Sequence, residues 1–230
     1  MVTTLYFRTT TDSTTGLPTT EQSALTAAVN GDAQSVNRVM SITKGNSDNG
    51  LVVTSANTVN PTDYYFTKFV SPPLYQSSLA SNTWTYNFAA QESSVSANFP
   101  CAGANQVVYV NAYVWRPTTT TKIGTILDGN TAATYTEPSG ALVETSEHGT
   151  FSGSSVSSMQ NGDVIIIEIW FRITMGVASL RSLTFDYNGT TETRNSGTTV
   201  SNHPSFLETP ENLVLVQPIP QTVYVEFEEA

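Results

Sequence analysis

Hydrophobic and polar residues alternate along much of this chain, and a long β-branched and aromatic run lies within residues 159–174. Asn161-Gly162-Asp163 begins the stretch with a tight-turn signal, because Asn and Gly tolerate positive φ. Side chains point alternately to the two faces of a strand, so one face of this strand must belong to the core. The predicted core face is the wholly apolar one, formed by Ile165, Ile167, Ile169, Phe171 and Ile173.

The opposite face of this predicted strand carries Glu168, Trp170 and Arg172 beside apolar residues. A Glu and an Arg two positions apart can pair with each other or with a neighbouring strand. An ion-paired outer face in contact with water is therefore one interpretation. Trp and Arg are also enriched as anchors of protein interfaces. We predict that Glu168, Trp170 and Arg172 form an interface with a neighbouring chain, with the solvated face as the alternative.

Other stretches repeat the strand pattern. Over residues 82–90 Trp84, Tyr86 and Phe88 face one way, which predicts a half-buried strand with its aromatic residues inward. Residues 107–115 are apolar at nearly every position, which is typical of a central strand covered on both faces. Roughly a dozen short strands with frequent turn signals indicate an all-β fold. We predict an antiparallel β-sandwich, jelly-roll-like, with extended N- and C-terminal arms.

The domain organisation follows from the absence of a flexible linker or a fixed repeat in the sequence. We predict one β-sandwich domain over residues 1–230. Within it, residues 1–35 form an N-terminal strand and arm, 36–210 the core sandwich, and 211–230 a C-terminal strand or arm.

The composition limits the possible partners. The formal net charge is −10, only 9 residues are Lys or Arg, and these are scattered. Binding to phosphate backbones or anionic lipid requires clustered cations, so we expect neither a nucleic-acid nor a membrane partner. Cys101 is the single cysteine, so the chain can form no internal disulfide. The first residues lack a basic region followed by an apolar run, so we expect synthesis in the cytoplasm without a signal peptide.

The search for chemistry is largely negative. His148 and His203, the only histidines, lie in polar, loop-like contexts, and the paired spacings of zinc ligands and the glycine motifs of nucleotide sites do not occur. We therefore predict no catalytic residues, no cofactor, no metal and no enzymatic activity. A glycan-cleaving enzyme is a further alternative, because it needs only two carboxylates flanking a cleft.

Carbohydrate binding is a further alternative, because β-sandwiches often present exposed aromatic residues on which sugars stack. Trp84 and Trp115 lie in patterns that indicate the core. Trp170 is the remaining tryptophan, and an exposed Trp170 would favour a carbohydrate-binding receptor module for a host glycan.

Three short segments give the chain a resemblance to a known class of proteins. They are the opening residues 1–8 followed by a Thr/Ser-rich arm, Val114-Trp115-Arg116-Pro117 at the end of a strand, and Gln160-Asn161-Gly162-Asp163-Val164-Ile165 before a long apolar strand. With them the chain resembles jelly-roll structural proteins of tailed bacteriophages, which serve as capsid decoration (cement) proteins or as tail and fibre components.

The resemblance implies a non-enzymatic virion structural protein, made in the host cytoplasm and incorporated into the particle. A capsid decoration protein is the first expectation and a tail or fibre component the second. The implied partners are further copies of the same chain and the major capsid protein or tail proteins of the same virion. Strand faces and terminal arms would make these contacts, without catalytic residues.

Overall fold

The computed structural model describes residues 2–20, 36–45, 49–55, 62–92, 106–128, 134–136, 145–173, 181–187, 189, 198–199 and 205–215. Within these residues the chain forms strands and no helix, which confirms the all-β prediction. The strands are β1 (Thr4–Thr11), β2 (Asn37–Ser41), β3 (Asn49–Ser55), β4 (Thr62–Val70), β5 (Asn82–Glu92), β6 (Gln106–Arg116), β7 (Thr121–Leu127), β8 (Thr134–Thr136), β9 (Thr145–Gly153), β10 (Val164–Ile173), β11 (Arg181–Tyr187), β12 (Thr198–Thr199) and β13 (Phe206–Glu208).

The strands form one mixed sheet that curls into a nearly closed barrel of 9 strands, in the order β9-β5-β13-β1-β2-β4-β10-β6-β7. The two ends of this path approach each other where the Ser154 amide donates to the Ile126 carbonyl at 2.7 Å. β11 pairs with β5 and β3, β12 extends the sheet beyond β9, and β8 pairs with β6.

The main hydrophobic cluster fills the inside of the barrel. Ile165, Ile167 and Ile169 of β10 have no exposed surface and belong to this cluster, which confirms them as core residues. The side chains of Phe171 and Ile173 lie outside the described residues. The inward positions predicted for the aromatic residues of β5 are also confirmed, because the cluster includes Trp84, Tyr86 and Phe88.

The sheet differs from the predicted antiparallel sandwich in one pairing and in its overall curvature. β2 and β4 run parallel, with Asn37 opposite Lys68. β3 lies between β2 and β4 in the sequence but pairs with β11. The chain then enters β4 in the same direction as β2. Alternation along a strand determines which residues face inward, but it does not specify the partner strand or its direction.

The described parts of both predicted arms pack against their own chain. β1 lies between β13 and β2, and residues 12–20 cross the outside of the barrel. Near the other end Leu213 is buried, and Leu215 forms a β-bridge with Leu74. Residues 21–35 and 216–230, which the arm predictions also include, lie outside the described residues. Among the residues described, no helix is long and apolar enough to cross a membrane.

Candidate functional site

The outer face of β4, β10 and β6 is covered by residues 12–20, which we call the covering segment. Leu17 of this segment forms a second hydrophobic cluster, separate from the barrel interior, with Val70, Tyr113, Trp115, Val164 and Ile166. β10 is therefore buried on both faces, one by the barrel interior and the other by the covering segment.

Hydrogen bonds to backbone carbonyls fix the covering segment. The Trp115 indole Nε1 donates to the Gly16 carbonyl at 2.8 Å. The Lys68 Nζ donates to the carbonyls of Pro18 at 2.7 Å and of Thr20 at 3.2 Å. Gly16 has φ +85° and lies so close to the Pro117 carbonyl that a β-carbon there would collide with its oxygen. This close approach requires glycine.

Under the covering segment, four polar residues lie side by side on four adjacent strands. Lys68 of β4 is opposite Asn37 of β2 and Glu168 of β10, and Glu168 is in turn opposite Asn111 of β6. We call Asn37, Lys68, Glu168 and Asn111 the polar row. Lys68 and Glu168 have no exposed surface, and Asn111 has 3%. Burial of charged groups costs free energy of folding unless polar partners replace the lost water, so the fold must supply such partners to this row.

The Glu168 carboxylate accepts three hydrogen bonds from buried side chains. Asn111 Nδ2 and Trp170 Nε1 donate to Oε2 at 3.0 and 3.2 Å, and the Tyr113 hydroxyl donates to Oε1 at 3.0 Å. Burial, and after it the neighbouring Glu168 carboxylate, raise the pKa of Tyr113, which keeps this hydroxyl protonated as a donor. The carboxylate is thus held in one orientation.

An aromatic pair borders the polar row on the side away from Val70. β4 has an irregularity opposite the Ile169–Trp170 step, and this brings Tyr65 opposite Trp170. Their ring centroids are 5.2 Å apart and the rings are tilted by 55°, a favourable arrangement. Tyr65 is 1% exposed and Trp170 not at all. Aromatic rings therefore separate the polar row from solvent at this end.

The structure places the predicted interface residues differently from the expectation. Glu168 and Trp170 share a face as expected, but both are fully buried under the chain's own residues. They can therefore not contact a neighbouring chain in this conformation. The side chain of Arg172 lies outside the described residues, and its backbone is opposite Asp63. The sequence pattern shows which side chains share a face, but not that a distant segment covers that face.

Sequence reasoning missed Lys68, Asn37 and Asn111 as members of the site. A signal for Lys68 existed in the sequence, because it lies in a run rich in aromatic and β-branched residues, directly before Phe69 and Val70. A lysine at such a position is either on an exposed face or buried with partners. Asn111 carried a comparable signal, because it is the single polar residue of the apolar run over residues 107–115. Asn37 carried none, since its importance depends on strand pairing.

A second polar contact fixes the start of β10. Arg116 Nε and Nη2 donate to the two carboxylate oxygens of Asp163, both at 2.8 Å, and Nη2 also donates to the Ser158 carbonyl at 2.9 Å. Asp163 is 1% exposed and accepts a further bond from the Gln160 amide. The hydrogen bond to Asp163 raises the pKa of Arg116. This bidentate pair joins β6 to the turn before β10.

An open cavity of about 530 Å³ lies beside the covering segment. Its lining combines polar groups with apolar ones and consists of Asp12, Thr14, Thr15, Ser71, Pro73, Pro117, Thr118, Gly162 and Val164. Hydroxyl and carboxylate groups beside apolar surface can bind a small polyhydroxylated molecule.

The other sequence candidates do not form a site in the described part of the chain. Trp84, Trp115 and Trp170 are at most 6% exposed, so the exposed Trp170 of the carbohydrate hypothesis is not found. Within the described ranges, no three His, Cys, Asp or Glu residues are grouped so that they could hold a metal ion. His203 and Cys101 lie outside those ranges.

The site can hold the covering segment, orient the Glu168 carboxylate and bring the Lys68 amine close to the Asn37 carboxamide. No protein-family model matches the chain, and no curated protein matches its sequence.

Proposed function

We propose that this chain is a non-enzymatic virion structural protein of a tailed phage, and specifically a capsid decoration protein that forms a homo-oligomer. A tail or fibre component is the closest alternative. The proposal extends to the finer fold assignment, in which the curled sheet is a variant of the jelly roll. The proposed partners are neighbouring copies and the major capsid protein, and the proposed location is the virion.

The observation that carries the proposal is that the buried polar groups of the site bind the chain itself. Lys68 and Trp115 donate to backbone carbonyls of the covering segment, and Glu168 accepts from three side chains of its own sheet. Such contacts stabilise one fixed shape, which favours a structural role over turnover of a substrate. The acidic, charge-poor composition and the resemblance to phage structural proteins support the same conclusion.

In this proposal the contacts work by buried area, and standard interfaces bury on the order of 1,600 Å² in total. Residues 2–20 belong to the barrel and its cover. In this proposal, residues 216–230 therefore form the arm that contacts neighbouring chains. Their sequence predicts a strand over residues 223–227, with Val223, Val225 and Phe227 on one face.

The test uses virions of the phage that encodes the chain. We expect the protein in purified particles at a fixed ratio to the major capsid protein, measured by quantitative mass spectrometry, and labelling of the capsid shell by immunogold electron microscopy. Label on the tail would favour the alternative position. Absence from purified particles would contradict the proposal.

A truncation tests the mechanism. Removal of residues 216–230 is expected to leave a folded barrel by circular dichroism but to abolish binding to particles that lack the protein. Removal of residues 1–35 is not an equivalent test, because it takes β1 out of the middle of the sheet and uncovers the polar row. A truncated chain that binds at full occupancy would disprove the arm mechanism.

A carbohydrate-binding receptor module is the second candidate function, and the open cavity beside the covering segment favours it. A glycan array with the full chain would then give binding that Asp12→Ala removes, because Asp12 is the carboxylate of the cavity lining. Asp128→Ala is the matched control, since Asp128 is exposed and not part of that lining. No binding on a broad array would count against this candidate.

A further inference from the structure

The polar row contains an amine and a carboxamide on adjacent strands. Asn37 of β2 lies directly opposite Lys68 of β4, in parallel register. Lys68 Nζ and Asn37 Nδ2 both donate to the carbonyl oxygen of Pro18, at 2.7 and 3.3 Å. Sharing one acceptor atom brings the two nitrogen atoms close together, and Lys68 has no exposed surface.

The carboxamide oxygen of Asn37 is available as a hydrogen-bond acceptor. Its Oδ1 is buried, and no described residue donates a hydrogen bond to it. Buried acceptors are normally satisfied, so this atom needs an explanation. A proton donor that reaches Oδ1 would polarise the carbonyl and make Asn37 Cγ more electrophilic.

Glu168 lies on the other side of Lys68, directly opposite it on β10. Residues opposite each other on neighbouring strands have β-carbons about 4.5–5.5 Å apart, so a carboxylate and a lysine amine can meet there. A low-dielectric environment disfavours an ammonium ion and a carboxylate alike, and transfer of one proton from the first to the second leaves two neutral groups. Asn111, Tyr113 and Trp170 act as positioning residues, because their hydrogen bonds orient the Glu168 carboxylate.

We propose that Lys68 and Asn37 are joined by an intramolecular isopeptide bond, with Glu168 as the group that accepts the lysine proton. The inference does not depend on the virion role, because it concerns a reaction within the isolated chain.

The reaction needs no oxidant, reductant or cofactor. The Lys68 ammonium transfers one proton to Glu168, and the lone pair of the neutral Nζ attacks Asn37 Cγ. The bond between Cγ and Nδ2 of Asn37 then breaks while the amide bond between Nζ and Cγ forms. Nδ2 takes a proton from the attacking nitrogen and leaves as ammonia, which also carries away the proton held by Glu168 as ammonium. Glu168 is regenerated as a carboxylate.

The position of the bond has a structural consequence. β2 and β4 are paired over only three residue pairs, Asn37 with Lys68, Arg38 with Phe69, and Val39 with Val70. This short pairing connects β1 and β13 to the β4-β10-β6 side of the barrel. A covalent bond there holds this three-residue parallel pairing together.

Intact-mass spectrometry of the full, folded chain tests the proposal. Loss of ammonia lowers the mass by about 17 Da relative to the sequence. In a tryptic digest, cleavage after Lys68 is expected to be lost, and the peptide that contains Asn37 is expected to be attached there. A folded chain at its full calculated mass would overturn the proposal.

Single substitutions test which side chains form the bond and which one accepts the proton. Lys68→Arg and Asn37→Ser are expected to restore the full calculated mass, and Glu168→Gln to slow formation of the bond at least tenfold in a time course after refolding. Lys122→Arg is the matched control that keeps the mass loss, since Lys122 is exposed. Circular dichroism checks that each variant folds, and the crosslinked peptide of the unaltered chain provides a test that needs no variant.

Two other products must be distinguished. A succinimide also loses ammonia and can form at the Asn-Gly sequences of this chain, but it hydrolyses at mild alkaline pH, whereas an isopeptide bond persists. A mass loss that disappears on this treatment would overturn the proposal. A crosslink from Lys68 to Asn111 instead of Asn37 would overturn the assignment of the carboxamide.

Discussion

Lys68 of β4 and Glu168 of β10 lie directly opposite each other, and neither side chain has exposed surface. The chain thus places two ionisable side chains between the barrel wall and the covering segment. Burial of such groups is favourable only when hydrogen bonds replace the water they lose. The fold should therefore depend strongly on the groups that contact them.

We first predict that Glu168→Ala destabilises the fold by on the order of 3 kcal/mol, because three buried donors lose their acceptor and each costs about 1 kcal/mol or more. Urea unfolding followed by tryptophan fluorescence measures the change. Asp128→Ala, at an exposed position, is expected to stay within about 0.5 kcal/mol of the unaltered chain. Equal effects of the two substitutions would show that the Glu168 contacts contribute no stability.

The second prediction concerns alkaline pH. The folded state raises the pKa of Tyr113 above the ordinary tyrosine value of about 10. This contribution is fully present below that value and is lost as the pH rises above it, because the unfolded chain then releases the proton more readily. Tyr113→Phe should flatten the fall in stability above about pH 10.

Denaturant titrations at several pH values measure this effect. Burial also raises the pKa of Tyr187, so some alkaline destabilisation is expected to remain in the Tyr113→Phe variant. An unchanged slope in Tyr113→Phe would contradict the prediction.

The third prediction compares two glycines with similar backbone conformation. Gly16 and Gly162 have φ +85° and +91°, but a β-carbon collides with the Pro117 carbonyl only at Gly16, while nothing lies within 4 Å of one at Gly162. Both alanine variants pay the cost of positive φ, about 1–3 kcal/mol. Gly16→Ala should be the more destabilising, and it should also speed amide hydrogen exchange in residues 12–20. Equal effects would show that the close approach to Pro117 is unimportant.

The fourth prediction tests the bidentate pair at the start of β10. Arg116→Lys keeps the positive charge but cannot form two parallel hydrogen bonds to Asp163. We expect a lower melting temperature by circular dichroism, because Asp163 is buried and loses one of its hydrogen-bond donors. Lys122→Arg is the control at an exposed position and should leave the melting temperature unchanged. The prediction fails if both variants have the same melting temperature as the unaltered chain.

Much of the fold could be predicted from local patterns. The alternation in β10 identified Ile165, Ile167 and Ile169 as core, and the spacing of aromatic residues in β5 did the same for Trp84 and Phe88. The candidate site was predicted only in part. Glu168 and Trp170 were identified as sharing a face, but as an interface with another chain, whereas both side chains are fully buried within their own chain.

Some properties of the fold depend only on neighbouring residues, whereas others depend on residues far apart in the sequence. The sequence by itself determined the strand character and the two faces of each strand, because backbone geometry imposes a period of two on neighbouring residues. Only the tertiary structure decided which strands pair and what covers them. The Thr3 amide donates to the Thr209 hydroxyl across 206 positions in sequence, and Lys68 reaches Pro18 across 50. Such contacts depend on the closure of the whole sheet, and it is this closure that turns an apparently exposed Glu168 into the centre of a buried polar row.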